Sequence, residues 1–337
     1  MKMNEFIKII ISLVPVILFL IGLIVLDSFK LIRPRLVLLL LIAGCLAALL
    51  SFFLNTYLSD NLIYNHRLFV RYVSPLIEET AKAVCVALLI RFHKIGFYVD
   101  AAIYGFAVGA GFAFAENVYY LQALHTPNPL VWLVRGLGTA VMHGGTTAIF
   151  TIIAKSGLDR APNRTFRPYI WGWIAAVGLH AFFNHFILPP VILTLMQLII
   201  LPPAFYLIYR RSEFMLREWL EIGMDVDVWL LEEMNAGRFS NTKYGRYLHT
   251  LKNKFPATLV ADMLCYLRLH LELAVRAKGL LLMREAGFLP ALDEDVKEKI
   301  TEMRYLERQF GKTGKLALAP LIRSSAQELW QLYLINK

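Results

Sequence analysis

Seven stretches of predominantly apolar residues constrain this chain more than any other feature. A helix needs roughly 20 such residues to cross a bilayer. Segments 6–26, 36–58, 68–91, 98–121, 130–154, 168–188 and 189–209 of the 337 residues qualify. The expected fold is all-α: a polytopic transmembrane helix bundle of about seven spans over 1–209, then a soluble helical domain over 210–337. The composition agrees, with 58% hydrophobic and 18% charged residues. A soluble domain is about half apolar and about a quarter charged, so a soluble two-domain enzyme and a disordered chain are both excluded. Residues 1–209 carry 15 Lys+Arg and 8 Asp+Glu, and residues 210–337 carry 20 and 17. The second part thus has an ordinary soluble charge density.

The first apolar run is long and ends in Leu26-Asp27-Ser28 rather than a small-residue cleavage site. A second run follows at once, so an uncleaved anchor is expected rather than a signal peptide. Loop charges give the orientation. Lys30, Arg33 and Arg35 lie in one loop, Arg91 and Lys94 in another, and Lys155, Arg160, Arg164 and Arg167 in a third. The tail opens with Arg210 and Arg211, whereas loop 59–67 has only Arg67 and loop 122–129 has neither Lys nor Arg. Cytoplasmic loops carry the excess of Lys and Arg. The N-terminus is then outside a plasma or inner membrane and the tail is cytoplasmic, with Lys2 and Lys8 running against this. The tight Pro189-Pro190 junction leaves seven or eight spans open. The net charge of +10 follows the cytoplasmic loops, so it reports topology, and no nucleic-acid partner is expected. Cys45, Cys85 and Cys265 are far apart and imply neither a disulfide framework nor a cysteine-based zinc site.

Ionisable groups inside a bilayer are costly and usually face the protein interior for a functional reason. Three of the eight acidic residues in 1–209, Glu78, Glu79 and Glu116, fall well inside expected spans. Lys82, Asn117, Arg135, His143, His180, Asn184 and His185 join them, all in the third to sixth spans. Counted from the outer span ends at about 1.5 Å per residue, Glu78, Glu116, His143 and His180 share a depth of roughly 8–20 Å. A site in the outer half of the membrane fits. Spacing adds shared faces: Glu78 with Lys82, where an ion pair is expected, His180 with Asn184, and His143 with Thr147. Gly105, Gly109 and Ala113 have a small-xxx-small spacing that lets helices approach closely and leads to Glu116.

Water attack on a peptide bond needs a base, an oxyanion stabiliser and a proton donor for the leaving amine. The glutamate pair can supply base and acid, and a His or Asn side chain the oxyanion contact. Alternatively Glu116, His143 and His180 could hold Zn²⁺, with a glutamate activating its water. No H-E-x-x-H is present, so the usual zincin arrangement is absent.

These residues carry a family resemblance. Glu78-Glu79-Thr80-Ala81-Lys82 is E-E-x-x-K, Phe112 to Asn117 is F-x-x-x-E-N, Met142-His143-Gly144-Gly145 is a third element, and His180 to Asn184 is H-x-x-x-N. In that order on successive helices they resemble the PrsW intramembrane proteases. These are distant relatives of the CAAX prenyl endopeptidases and the Abi bacteriocin-immunity proteins, whose motifs are E-E-x-x-x-R, F-x-x-x-H and H-x-x-x-N or D. Lys82, one place early, and Glu116, in place of His, depart from those relatives and match PrsW. The resemblance covers about residues 60–190. It implies site-1 cleavage of a membrane-anchored substrate, typically an anti-sigma factor. Glu78 or Glu79 would activate water, His180 with Asn184 would stabilise the oxyanion, and Glu116 and His143 would complete an acid–base or metal set. Lys82 and Asn117 would support them. Glutamic and metal-assisted chemistry both stay open.

Arg135 reads as a structural or snorkelling charge and His185 as a packing residue. Two other functional classes compete: an ion- or proton-coupled transporter, which also uses buried carboxylates and histidines, and a non-catalytic membrane scaffold. No repeated halves of a transporter type are visible. In the tail, Val260, Met263, Leu264, Leu267, Leu271, Ala274 and Val275 form a 3.6-period stripe, with Arg268, His270, Glu272 and Arg276 on other faces. Asp293-Glu294-Asp295 is expected to open another helix. Gly311-Lys312-Thr313 lacks the glycine a phosphate loop needs at 306, which is Leu306. A regulatory or protein-binding role is expected for this tail, or none of its own.

Overall fold

A computed structural model describes residues 5–27, 32–62, 65–160, 166–288 and 295–322. Lys2, Lys30, Arg164, Asp293 and Glu294, used in the sequence argument, lie outside the described residues. Contacts group the chain into two compact units, Met1–Ser212 and Glu213–Lys337. The described residues form helices and no strand.

The first unit begins with α1 (Glu5–Val25) and α2 (Pro34–Asn61), both long and apolar enough to span a membrane. The third expected span is broken into three pieces: α3 (His66–Leu68), a π-helical turn Phe69–Val73, and α4 (Ser74–Arg91). The next helix, α5, runs Tyr98–Ala123. The fifth span is again composite, with α6 (Pro129–Leu133), a π-helical turn Val134–Thr139 and α7 (Ala140–Arg160). Then come α8 (Arg167–Asn184), shorter than the segment expected, and α9 (Pro190–Asn235). The last does not stop at 209: good helix formers follow the apolar part, so composition changes there while the backbone continues.

Among the described residues, five helical stretches are long and apolar enough to cross a membrane: α1, α2, α5, the composite Pro129–Arg160, and α9. The two others, α4 and α8, are those in which Glu78, Glu79, Lys82, His180 and Asn184 dilute the apolar run. Large apolar side chains such as Phe6, Leu18, Leu39, Ile199 and Leu207 stand on the surface of α1, α2 and α9. Exposed apolar area of this extent needs a non-aqueous neighbour, and the chain is a multi-pass membrane protein.

At the centre is α5, packed on α1, α2 and α7, while α8 packs on α7 and α4. Its small residues make this possible. A Cβ on Gly109 would stand 2.1 Å from the His143 carbonyl oxygen, and one on Gly111 2.0 Å from that of Leu41. Backbones this close require glycine, and the Gly109 contact brings the Glu116 helix against the His143 helix.

In the second unit, α10 (Lys243–Thr250), α11 (Ala257–Glu285) and α12 (Asp295–Leu318) enclose an apolar core that includes Met263, Leu267, Leu271, Leu273 and Ala277. The buried stripe differs from the one expected. Leu264 is exposed and His270 is buried, because the core-facing row runs through 263, 267, 270, 274, 277 and 281. Burial, with the Lys278 ammonium adding to it, holds the His270 pKa down at about 4. Gly311 has φ of 60°, which bends α12, a conformation glycine adopts without steric cost.

Candidate active site

Four helices bring their polar side chains to one cluster within the first unit. Glu78, Glu79 and Lys82 come from α4, Glu116 from α5, His143 and Thr146 from α7, and His180 from α8. The cluster has a saturated interior. Glu79 Oε1 accepts from Lys82 Nζ at 2.6 Å, His180 Nδ1 at 2.8 Å and Thr146 Oγ1 at 3.2 Å. Lys82 is fully buried and sits over the Phe112 ring, 4.7 Å from its centroid. Breaking a buried ion pair of this kind leaves an uncompensated charge, so these partners hold one another in place. The pairing differs from the one spacing suggests: Lys82 pairs with Glu79 at i,i+3, not with Glu78 at i,i+4.

Lys82 also reaches His143 Nδ1 at 3.0 Å, and His143 Nε2 lies 3.0 Å from Glu116 Oε2. An ammonium only donates, so Nδ1 is the acceptor and Nε2–H donates to Glu116. His180 has the opposite tautomer. Its Nδ1–H donates to Glu79, which leaves the Nε2 lone pair facing Glu78 Oε2 across 3.8 Å. That gap is too wide for a hydrogen bond. The other Glu78 oxygen accepts from Ser74 Oγ at 2.6 Å and Asn55 Nδ2 at 3.3 Å. Side-chain exposure separates the three carboxylates: 2% for Glu79, 13% for Glu78 and 25% for Glu116. Glu79 is closed off, whereas Glu78 and Glu116 are partly exposed.

Arg135 is part of this site rather than a snorkelling charge. Its Nη2 lies 3.3 Å from Glu116 Oε1, its Nε donates to Asn117 Oδ1 at 3.0 Å, and its guanidinium stacks on Tyr120 at 3.6 Å. Asn117 in turn donates to the Ser12 carbonyl of α1 at 2.9 Å. Asn184 is not brought into the cluster. Its amide nitrogen donates at 3.1 Å to the carbonyl of Val70, inside the π-helical turn ahead of Glu78. His185 Nδ1–H donates to the Ala181 carbonyl and its Nε2 bonds to Tyr72 Oη, away from the cluster. Sequence reasoning missed Asn55, Ser74, Thr146 and the part played by Arg135. A lone Asn in the otherwise apolar second span was the one signal that could have found Asn55.

Glu78, His143 and His180 each offer one ligand atom, all within 4.8 Å of one another. Glu78 thus stands where Glu116 was expected in a metal set, because Glu116 is engaged by Arg135 and His143. Two histidines and a glutamate are a donor set that catalytic zinc uses. The Glu79–His180 bond is the outer-shell contact that orients a metal-binding imidazole. The 3.8 Å between His180 Nε2 and Glu78 Oε2 suits two bonds of about 2.0–2.2 Å to one ion. His143 would join them only by releasing Lys82 from Nδ1 or Glu116 from Nε2, since both of its ring nitrogens are engaged. The residues fit a divalent metal.

No curated protein and no solved structure matches the chain. A family match covers residues 33–208, more than half of the chain and every member of the cluster. Four motif-bearing helices that converge on one carboxylate–histidine cluster inside an apolar bundle thus agree with that match, and the chain belongs to the PrsW family of intramembrane metalloproteases.

Proposed function

We propose that this peptidase cuts a membrane-anchored protein near the outer membrane surface, in the manner of site-1 cleavage of an anti-sigma factor. The orientation behind this reading has seven spans, the N-terminus outside the cell membrane, and the helical tail from 210 in the cytoplasm. The loop charges support it, as does the shared depth of the four ionisable positions.

The observation that carries the chemistry is the 2.8 Å bond from His180 Nδ1 to Glu79. It turns the His180 lone pair toward Glu78 and leaves a gap between them. Glu79, saturated by three donors, is a positioning residue. Glu78 is the carboxylate for the incoming water: its Oε2 takes the water proton as oxygen bonds to the scissile carbonyl carbon. The proton then passes to the amine nitrogen as the C–N bond breaks. His143 keeps Glu116 oriented. In the alternative, metal-assisted form, Glu78 Oε2 would be a ligand beside His143 and His180 instead of the base, and the metal would supply Lewis-acid polarisation of the carbonyl and a more acidic water. Asn184 acts at the Val70 carbonyl, holding the π-turn that aims Glu78.

Two measurements test this. Glu78→Gln lowers the rate of cleavage of a co-expressed membrane substrate by about 10²–10⁴-fold while the protein accumulates normally. Normal cleavage by that variant would sink the assignment, and ion flux without cleavage in reconstituted vesicles would favour a transporter. Metal analysis of the purified active protein, with His180→Ala as control, gives about one divalent ion per chain that the variant loses. An active preparation without metal excludes the metal-assisted form. The substrate is sought among membrane proteins that accumulate uncut in a strain lacking this chain.

A further inference from the structure

Two buried polar atoms beside the cluster have no hydrogen-bond partner: Arg135 Nη2 and Asn55 Oδ1. They differ in kind, one a donor and the other an acceptor, and each flanks one of the two partly exposed carboxylates. Arg135 is next to Glu116, and Asn55 is next to Glu78. A buried group left unpaired is costly, and such exceptions in a native structure call for an explanation.

Both atoms are held rigidly. Arg135 cannot turn Nη2 elsewhere without giving up the Asn117 bond and the Tyr120 stack. Nη2 lies 3.3 Å from Glu116 Oε1, yet the geometry is not that of a hydrogen bond. The Asn55 orientation is equally determined. Glu78 Oε1 can only accept when ionised, so the Asn55 nitrogen must face it, and the amide oxygen is what remains. Asn55 Oδ1 thus offers an acceptor beside Glu78, and Arg135 Nη2 a donor beside Glu116.

One chemical class presents the complementary pair at both places: the main chain of an extended peptide, whose N–H groups donate and whose carbonyls accept. We propose that Arg135 Nη2 binds a substrate main-chain carbonyl and Asn55 Oδ1 binds a substrate main-chain N–H. Together they form a subsite that holds the cut segment extended across the cluster. A helical transmembrane segment has its N–H and C=O groups already paired, so this subsite selects a segment that has unwound. Specificity then rests on local unwinding near the outer membrane surface as well as on side chains. The inference rests on the protease reading above.

The test uses the full-length protein in detergent. The probe is a fluorogenic peptide spanning the cut site of the membrane protein that accumulates uncut in the strain lacking this chain. A set of probes replaces one main-chain amide at a time by an ester, which removes a single N–H. At one position near the cut, the ester is expected to raise KM by about 10-fold with kcat little changed, the loss of one hydrogen bond to a buried acceptor. In Asn55→Ala that ester no longer adds to KM, because its partner is already gone. Arg135→Lys keeps a positive charge for Glu116 but lacks the fixed fork, and KM is expected to rise by about 10-fold or more without rescue. Wild-type protein that cuts every ester probe with the KM of the amide overturns the Asn55 half. Recovery of the wild-type KM by Arg135→Lys overturns the Arg135 half. Failure of wild-type protein to cut the amide probe at all counts against the protease reading instead.

Discussion

Each unit of this protein buries a lysine against a carboxylate, beside a histidine and over an aromatic ring. In the membrane unit Lys82 Nζ lies 2.6 Å from Glu79, above Phe112 and 3.0 Å from His143. In the C-terminal unit Lys278 Nζ lies 2.6 Å from Asp227, 5.1 Å from the centre of the Trp219 ring, and its charge is felt by His270. The parts are alike and the outcomes differ. The Lys278 pair has one carboxylate, and the His270 ring beside it faces Tyr266, with centroids 6.3 Å apart. The Lys82 pair continues through His143 to Glu116 and Arg135, and through Glu79 to His180. It ends at a gap in front of Glu78. Moreover, the buried side-chain atoms without a partner among the described residues all lie in the membrane unit: Ser51 Oγ, Asn55 Oδ1, Asp100 Oδ1, Arg135 Nη2 and Gln197 Oε1. A buried ion pair alone stabilises or specifies a fold. A site needs several such groups to converge and to leave something unfinished.

Neutralising the two lysines is the strongest way to break this comparison. Lys82→Met and Lys278→Met each remove one partner of a buried pair, at a cost of about 3–5 kcal/mol. Asp227 is 18% exposed whereas Glu79 is 2% exposed. Water therefore reaches Asp227 more readily than Glu79, and the Lys278→Met variant belongs at the lower end of the range. Only Lys82→Met should lose cleavage beyond its loss of stability. Thermal unfolding in detergent beside a cleavage assay measures both, and equal loss of cleavage in the two variants would dissolve the contrast.

Acid separates the units next. His270 has a folded pKa of about 4 against about 6.5 unfolded. The unfolded chain therefore takes up the proton first. The stability of the C-terminal unit is full above pH 6.5 and falls as the pH drops toward 4, by about 3 kcal/mol for a shift of this size. Urea titrations scored by protease cutting within 257–285 at pH 7, 5.5 and 4 should show this slope, and His270→Leu should flatten it.

The smallest contrast is a pair of glycines. Gly109→Ala drives a methyl group into the His143 carbonyl, an overpacking that costs about 1–3 kcal/mol and moves His143 relative to Glu116. Gly279 lies within α11 with nothing near its added Cβ, so Gly279→Ala should stabilise by up to about 1 kcal/mol. A Gly109→Ala protein with unchanged melting and cleavage would mean that the α5–α7 approach is not needed for the site.

Much of the site was legible before any coordinates, for a reason specific to membranes. Charge is costly in hydrocarbon, so Glu78, Glu79, Glu116, His143 and His180 stood out against an apolar background. Spacing on one helix was a poorer guide. It suggested Glu78 with Lys82, and Asn184 beside His180 in the site. Each of these depends on what a neighbouring helix offers. Lys82 pairs with the carboxylate that His180 and Thr146 also hold, and Asn184 bonds to the Val70 carbonyl within a π-helical turn. The two π-helical turns were not legible either, since nothing in local propensity separates a π-turn from an α-turn in an apolar run.

The order of apolar runs and the rare charges within them determined a helical membrane bundle and named most of the polar residues that gather in the candidate site. Both follow from the cost of polar groups in lipid, which acts on each residue separately. Tertiary structure alone decided which glutamate is locked and which is free, which nitrogen of each histidine carries its proton, and where an unpaired donor and acceptor remain. Those properties belong to contacts between helices, and no single helix carries them.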